Sequence, residues 1–382
     1  MNAFNLIEKL SVLNDYRQPW KVVHKLSDIV LLVICAVIAG CDGWDEIEDF
    51  GRERLDWLRK YGEFKPDVQP SADTIARVMS CISTTHFQKI FCEWMKACHT
   101  ATNGDIIAID GKTARSSYDK SKKKDPIHMV SAFATANKVV LGHVKTDAKN
   151  NEITAIPDLL DLLEIKGCLV TIDAMGCQRK IAEKIVEKEG DYLLAVKGNQ
   201  GKLNAAFEQH FPLHKLQNWN GDVYTTTEKS HGRTETRMYI VSEVFDEFVN
   251  FAFDWKKLTT LGVAIAFRSE GKEAPESVSV RYYISSANLT AEKFAAGVRE
   301  HWDVENGLHY KLDVAMNEDD CRVRTGAAPE MLASVRRLAI NMLNNCNAKG
   351  GVRRKMKRAA LSTRFLEDVL KGAPLLLKEV TS

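Results

Sequence analysis

The sequence predicts an α/β protein built on a mixed sheet with crossover helices, preceded by a helical region and interrupted by a β-rich insertion. Three observations carry this. The spacing of apolar residues changes from helical to strand-like at Asp105. Strand and helix signals then follow in the order β-β-β-α-β-α-β. From about 201 to 286 the alternation gives way to irregular and then strand-rich sequence, after which a helix resumes.

In chain order, residues 1 to about 100 read as helical, with an apolar stretch from Leu26, a polar segment around Asp42 to Glu53, and amphipathic stretches near Thr74 and Phe87. Ser71 or Asp73 is placed to cap the helix containing Ile75 and Val78. IIAID, MVSAFAT and, after the turn-like Ala136-Asn137, KVVLGHV read as three strands of a meander. A helix over Glu152 to Leu163, a strand CLVTID ending at Asp173, a helix over Gln178 to Glu189 and a strand DYLLAVK ending near Lys197 follow. RMYIVSEV, GVAIAF and VRYYISS are the strands of the insertion. A helix from Thr290 to about Leu312 resumes the core, and another from Pro329 to Asn345 is apolar on one face. After a glycine break, GGVRRKMKRAAL gathers Arg353, Arg354, Lys355, Lys357 and Arg358, either as a DNA-facing helix or as a solvated one. The expected division is therefore 1–100 helical, 101–200 first part of the core, 201–287 insertion, 288–346 rest of the core, and 347–382 basic helix.

Bulk composition sets bounds on function. With 45% apolar and 27% charged residues, a chain of 382 residues buries a substantial core in two or three modules. The longest apolar run, Ile29 to Cys41, falls short of the roughly 18 to 20 residues of a membrane-spanning helix and reads as a buried one. No membrane partner is expected, and a start without the order of a secretory signal suggests a cytoplasmic location. Nine cysteines without a CxxC pair predict reduced, mostly buried thiols, and the neighbours Cys92, Cys98 and His99 lack the paired spacing of a zinc site. A net charge of +2 is nearly neutral, so nucleic-acid binding must rest on local basic clusters.

The chemistry is carried by carboxylates. IIAID places Asp110 at a strand end followed by the turn-like Gly111, Lys112 and Thr113, and LVTID places Asp173 before Ala174, Met175 and Gly176. Each alone reads as a cap on the following turn. Brought side by side by the strand order, the two would repel unless a cation lay between them, and hard oxygen ligands select Mg²⁺ or Mn²⁺. Glu305 is a third acid, in HWDVENGLHYKLD, where helical spacing sets His301, Trp302, Glu305, His309 and Leu312 near one face. Asp313, Glu318, Asp319 and Asp320 are rivals that spacing does not exclude.

DYRQPWKVVHKLSDIVLLVICAVIAG, AIDGKTARSS, NEITAIPDLL, TIDAMGCQ, YLLAVKGNQ, RYYISS and HWDVENGLHYKLDVAMNEDDCR together resemble the DDE transposases of bacterial insertion sequences, in their H-repeat-associated branch, from end to end. The resemblance implies a ribonuclease H-like core with Asp110, Asp173 and Glu305 as catalytic and metal-binding triad, holding two Mg²⁺ ions with Mn²⁺ as substitute. It implies cleavage of insertion-sequence ends and joining of the freed 3′ hydroxyl to target DNA, by a homodimer on paired double-stranded ends. A nuclease without joining activity and a domesticated, inactive DNA-binding protein are the alternatives. Candidate phosphate contacts are Lys112, Arg115, Lys197 and Asn199 at the strand ends, Arg299, His301, His309 and Lys311 around the glutamate, and Arg353, Arg354 and Lys355 in the basic stretch.

One departure from the family pattern stands out. Many relatives place tyrosine seven and arginine four residues before the glutamate and lysine seven after, where this chain has Val298, His301 and Leu312. His301 and His309 flank Glu305 by one helical turn on either side. They read as packing residues, as phosphate contacts strongest when protonated, or, with Glu305, as ligands of a transition metal.

Overall fold

The computed structural model describes residues 10–98, 104–118, 125–146, 152–216, 218–230, 233–270 and 277–372. His99 and the side chain of Cys98 lie outside them; the other eight cysteines are free thiols.

LSDIVLLVICAVIA has no polar face, so a helix made from it must be enclosed on every side. It forms α1 (Leu26–Ala39), which buries all but Ser27 and Ala39 and ends at Gly40, whose left-handed φ of 97° lets its N–H reach the carbonyls of Ala36 and Val37. The polar segment after it is α2 (Trp44–Glu53), followed by α3 (Ala72–Cys81) and α4 (Thr84–Cys98). Of the two capping candidates, Ser71 is the cap: its Oγ accepts from the Thr74 N–H at 3.3 Å. Among the described residues no single helix is long and apolar enough to cross a membrane.

The sheet begins with the meander β1 (Ile106–Thr113), β2 (His128–Ala134) and β3 (Val139–Thr146), paired antiparallel. α5 (Glu152–Leu162) and α6 (Arg179–Glu187) are the crossovers that set β4 (Leu169–Ile172) parallel to β1 and β5 (Asp191–Val196) parallel to β4. A helix that the pattern did not predict, α7 (Gly201–His210), follows. Four antiparallel strands come next, β6 (Val223–Ser230), β7 (Arg233–Glu243), β8 (Thr260–Glu270) and β9 (Ser277–Ser285). Because β9 pairs with β5, from Leu193↔Ser285 to Val196↔Tyr282, these strands lengthen the existing sheet, whose order is β3-β2-β1-β4-β5-β9-β8-β7-β6. The fold is thus mixed α/β with a nine-stranded mixed sheet.

The chain returns through α8 (Ala291–His301), α9 (Tyr310–Val314) and α10 (Ala328–Asn345), then through α11 (Val352–Leu361) and α12 (Thr363–Gly372). α10 packs against both α1 and β3, and α11 and α12 close over α1. One apolar cluster therefore runs from Leu10 through the sheet to Leu370, so the two ends of the described chain enclose α1 together.

Candidate active site

The β1–β4 ladder runs from Ile106↔Leu169 to Ile109↔Ile172, so the next residues, Asp110 and Asp173, leave neighbouring strands at the same level. Only β4 stops there. β1 continues to Thr113 along β2, pairing Asp110 with Ser131 and Thr113 with His128, so the expected turn at Gly111, Lys112 and Thr113 is strand. Those three residues look turn-like alone, but β2 supplies hydrogen-bond partners through to the end. Asp173 does cap its turn, with Oδ1 accepting from Met175 at 3.0 Å and Gly176 at 3.2 Å. Gly176 is required, since a Cβ would come within 2.3 Å of Ile172 Cγ2. Asn199 Nδ2 donates to the Ala174 carbonyl and Gln200 Nε2 to that of Cys177, tying the loop after β5 to the loop bearing Asp173.

The helix expected from Thr290 to Leu312 is interrupted. α8, capped by Thr290 Oγ1 accepting from Lys293, ends at His301. Glu305–His309 then form a π-helical turn before α9. Such wide turns occur mostly as single insertions and often at functional sites. Val304 and Leu308 are fully buried beside it, and Gly307 lies so close to β2 that a Cβ would be 2.9 Å from the Phe133 ring. Glu305 is left facing a cavity of about 180 Å³ whose walls include Asp110, Asp173, Lys197, Arg281 and His301. Of the rivals, Asp313 and Asp319 share a second cavity with Glu305, and three are engaged in ion pairs. Asp313 and Asp319 hold Lys112 Nζ at 2.7 and 2.9 Å, and Glu318 holds Arg337 at 3.0 Å. Arg337 in turn donates to Ser131, opposite Asp110, so this buried network braces the glutamate segment against β1 and β2.

Burial raises the Asp110 carboxyl to a pKa of about 7, with Asp173, Glu152 and Glu305 adding like charge and the Gly111 N–H opposing. Glu152 went unnoticed in the sequence because NEITAIPDLL served only as a family mark. Its Oε1 is 2.6 Å from His128 Nε2, whose Nδ1 is 2.7 Å from Thr113 Oγ1. Both side chains lie over Gly111, where a Cβ would meet each at 2.3 Å. Glycine beside Asp110 is therefore what admits a fourth acid to the site.

The two histidines sit on opposite sides of Glu305. His301 lines the triad cavity, with Nδ1 3.0 Å from Thr171 Oγ1, while His309 lines a second, larger cavity with Lys112 and Arg115, and Glu305 borders both. Burial pulls the His301 pKa below its usual value despite Asp173. Burial, joined by Arg337 and Lys112, pushes that of His309 to about 3, although Asp110 Oδ2 is 3.6 Å away. Both shifts disfavour the protonated form, so a phosphate contact at either position would be made by a neutral ring N–H. Among the described residues no three His, Cys, Asp or Glu side chains form a ready-made metal cage, neither Asp110, Asp173 and Glu305 nor His301, Glu305 and His309, and the two histidines face different cavities.

Two further expectations, Lys112 and Lys355, are corrected by burial. Lys112 is 7% exposed and fully engaged by acids, beyond reach of a phosphate. Lys311 is partly exposed, and its Nζ donates to Asn344 Oδ1 without being enclosed. Lys355 is buried and donates to the carbonyls of Leu343 and Cys346, completing the end of α10. Arg115, Lys197, Arg353 and Arg354 are exposed, while Arg299 is half-exposed and pairs with Glu228 at 3.2 Å.

Residues 98–342 match the family model of the transposase DDE domain, and 7–95 match that of the DDE_Tnp_1-associated region. The chain is 56% identical over 379 residues to the H repeat-associated putative transposase YhhI of Escherichia coli (strain K12), covering 98% of this chain and all of that one. It is 55% identical over 379 residues to the putative protein YbfL of the same strain, with the same coverage. A solved piggyBac transposase synaptic complex with hairpin DNA covers 99% of this chain and 84% of its own at 12% identity and a TM-score of 0.41, too weak a likeness to lay one fold on the other. A domain match over most of the chain and full-length identity above one half place this protein among the DDE transposases, in the H-repeat-associated branch.

Proposed function

We propose that this chain cleaves the ends of its insertion sequence and joins the freed 3′ hydroxyl to target DNA, with two Mg²⁺ ions held by Asp110, Asp173 and Glu305 and Mn²⁺ as a substitute. The observation that carries the reading is the meeting of three carboxylates, from β1, from the residue after β4 and from the π turn, around one cavity, where burial, with neighbouring acids adding to it, raises the Asp110 pKa to about 7. The donor set fits the group: three carboxylates offer hard oxygens, with His301 also on the cavity wall, and a divalent cation would offset the burial and like charge that raise Asp110. Bound there, the ions would supply activation of the attacking oxygen and neutralisation of the leaving one in an in-line displacement. Backbone donors at Gly111, Met175 and Gly176 orient Asp110 and Asp173 before substrate arrives. Lys197 and Arg115 are placed to hold phosphates at the mouths of the two cavities.

In this reading the strand order β3-β2-β1-β4-β5 is a ribonuclease H-like core, β6–β9 its insertion, and the N-terminal helices a region for DNA binding or dimerisation. The enzyme works as a homodimer on paired ends, in the cytoplasm. Incubating the protein with its own element's ends and Mg²⁺ tests the reading: divalent-dependent cleavage is expected in the wild type and none in Asp173→Asn.

A further inference from the structure

Side chains two apart on a strand share a face, and the inserted strands use that face in an unusual way. On β7 it carries Glu235, Arg237 and Tyr239; on β8, Ala264, Ala266 and Arg268; on β9, Ser279 and Arg281. The register sets Arg237 opposite Ala266 and Arg281 opposite Ala264. Small residues thus form a floor between arginine walls. The end of α8 closes the other side with Arg299 and Trp302, leaving a groove of about 260 Å³. Arg281 and Trp302 line this groove and also the triad cavity, so the two spaces adjoin across these side chains. The Arg281 guanidinium lies 4.8 Å from the centre of the Trp302 ring, which fixes it at the junction.

The charges do not balance. Glu228 and Glu235 stand directly opposite on β6 and β7, an arrangement that repels unless a cation intervenes, and Arg237 bonds to both. Arg268 pairs with Glu235 at 2.9 Å and Arg299 with Glu228 at 3.2 Å. Four arginines against two glutamates leave an excess of two positive charges in an open groove. Arg268 and Arg299 are about half exposed, so their forks can exchange a carboxylate for a phosphate without unfolding anything.

We propose that this groove seats the sugar–phosphate backbone of the DNA duplex arm leading out of the catalytic cavity. The proposal rests on the transposase reading of the triad and adds to it the path of the substrate. The arginines grip phosphates, and the two glutamates hold them in place until DNA displaces the ion pairs.

The test is the salt dependence of binding to a fluorescein-labelled duplex of about 30 base pairs carrying the element's end, read by anisotropy without divalent ions. Each phosphate contact contributes about 0.9 to the slope of log K against log salt. Arg268→Gln, Arg281→Gln and Arg299→Gln combined are expected to flatten the slope by roughly 2 to 3 and to weaken binding at least about tenfold at low salt. Arg179→Gln on α6, which breaks an exposed pair with Asp254, is expected to change neither. A combined variant that melts like the wild type and keeps its slope overturns the proposal. Should the combined variant lose its fold, Glu228→Gln decides: removing the competing acid is expected to tighten binding several-fold, and unchanged or weaker binding overturns the groove. Cleavage of the same duplex by the wild type with Mg²⁺ separates the two claims. Groove-dependent binding without cleavage sinks the catalytic assignment alone, and cleavage with a groove-independent slope sinks the groove alone.

Discussion

Replacing Asp110 by asparagine is expected to stabilise the metal-free protein at pH 8 while removing its activity. The Asp110 carboxyl moves from an ordinary value of 3.8 to about 7 on folding, because it is buried and faces other acids. At about 1.4 kcal/mol per pH unit this corresponds to roughly 4 kcal/mol. Water reaches the side chain, which is 23% exposed, so about 2 kcal/mol is the expectation. The sign follows from proton binding. Between about pH 4 and pH 7 the native state holds a proton that the unfolded state has released, so wild-type stability falls as pH rises through that window and is fully reduced above it. Asparagine does not titrate, so its advantage is near zero at pH 4 and complete at pH 8. With an unfolding entropy of about 2.1 cal/mol/K per residue, 2 kcal/mol on a chain of this length shifts Tm by about 2–3 °C. Differential scanning fluorimetry at pH 4, 6 and 8 reads it, and Mg²⁺ or Mn²⁺ at pH 8 is expected to raise the wild type more than the variant. A variant no more stable than wild type at pH 8, or one with the same gap at pH 4, would refute the reasoning.

Glu152→Gln is expected to lower the Asp110 pKa by removing a neighbouring charge, as read by carboxyl NMR titration; an unmoved Asp110 would detach Glu152 from the site. Gly307→Ala drives a methyl into the buried Phe133 ring, which is expected to cost about 1–3 kcal/mol and displace Glu305, with Phe133→Leu restoring cleavage in the double variant. Rescue by no smaller residue at 133 would show that the close approach is not what sets Glu305. Lys355→Ala strips the donor from two buried carbonyls and is expected to cost roughly 1–3 kcal/mol in denaturant melts with no change in the salt slope of DNA binding. A flatter slope with unchanged stability would return Lys355 to the phosphate contacts.

The elements that could be read from the sequence are those whose burial is written in local spacing. β2 and β3 are continuous buried runs between turns, and α1 is apolar all round, so each announces itself. VYTTTEKS, the edge strand β6, carries polar residues on both faces and was read as irregular. The extension of β1 through Gly111 to Thr113 depends on a partner strand that local sequence does not contain. Asp110 and Asp173 were legible because strand ends and register can be inferred. The choice of Glu305 over Asp313 or Asp319 was not, since it depends on where Lys112 and Arg337 draw the other acids. The π turn, the approach of Glu152 and the downward pKa shifts of His301 and His309 all arise from tertiary packing, which spacing does not record.

The most direct measurement is nucleotide-resolution mapping of strands cut and joined when the protein meets its element's ends, a supercoiled target and Mg²⁺. The account predicts 3′ hydroxyl ends at the element boundary, the same strands joined to target, and neither product from folded Asp110→Asn, Asp173→Asn or Glu305→Gln. Near-wild-type cleavage by any one of these variants, or cleavage that never yields joined strands, would contradict it.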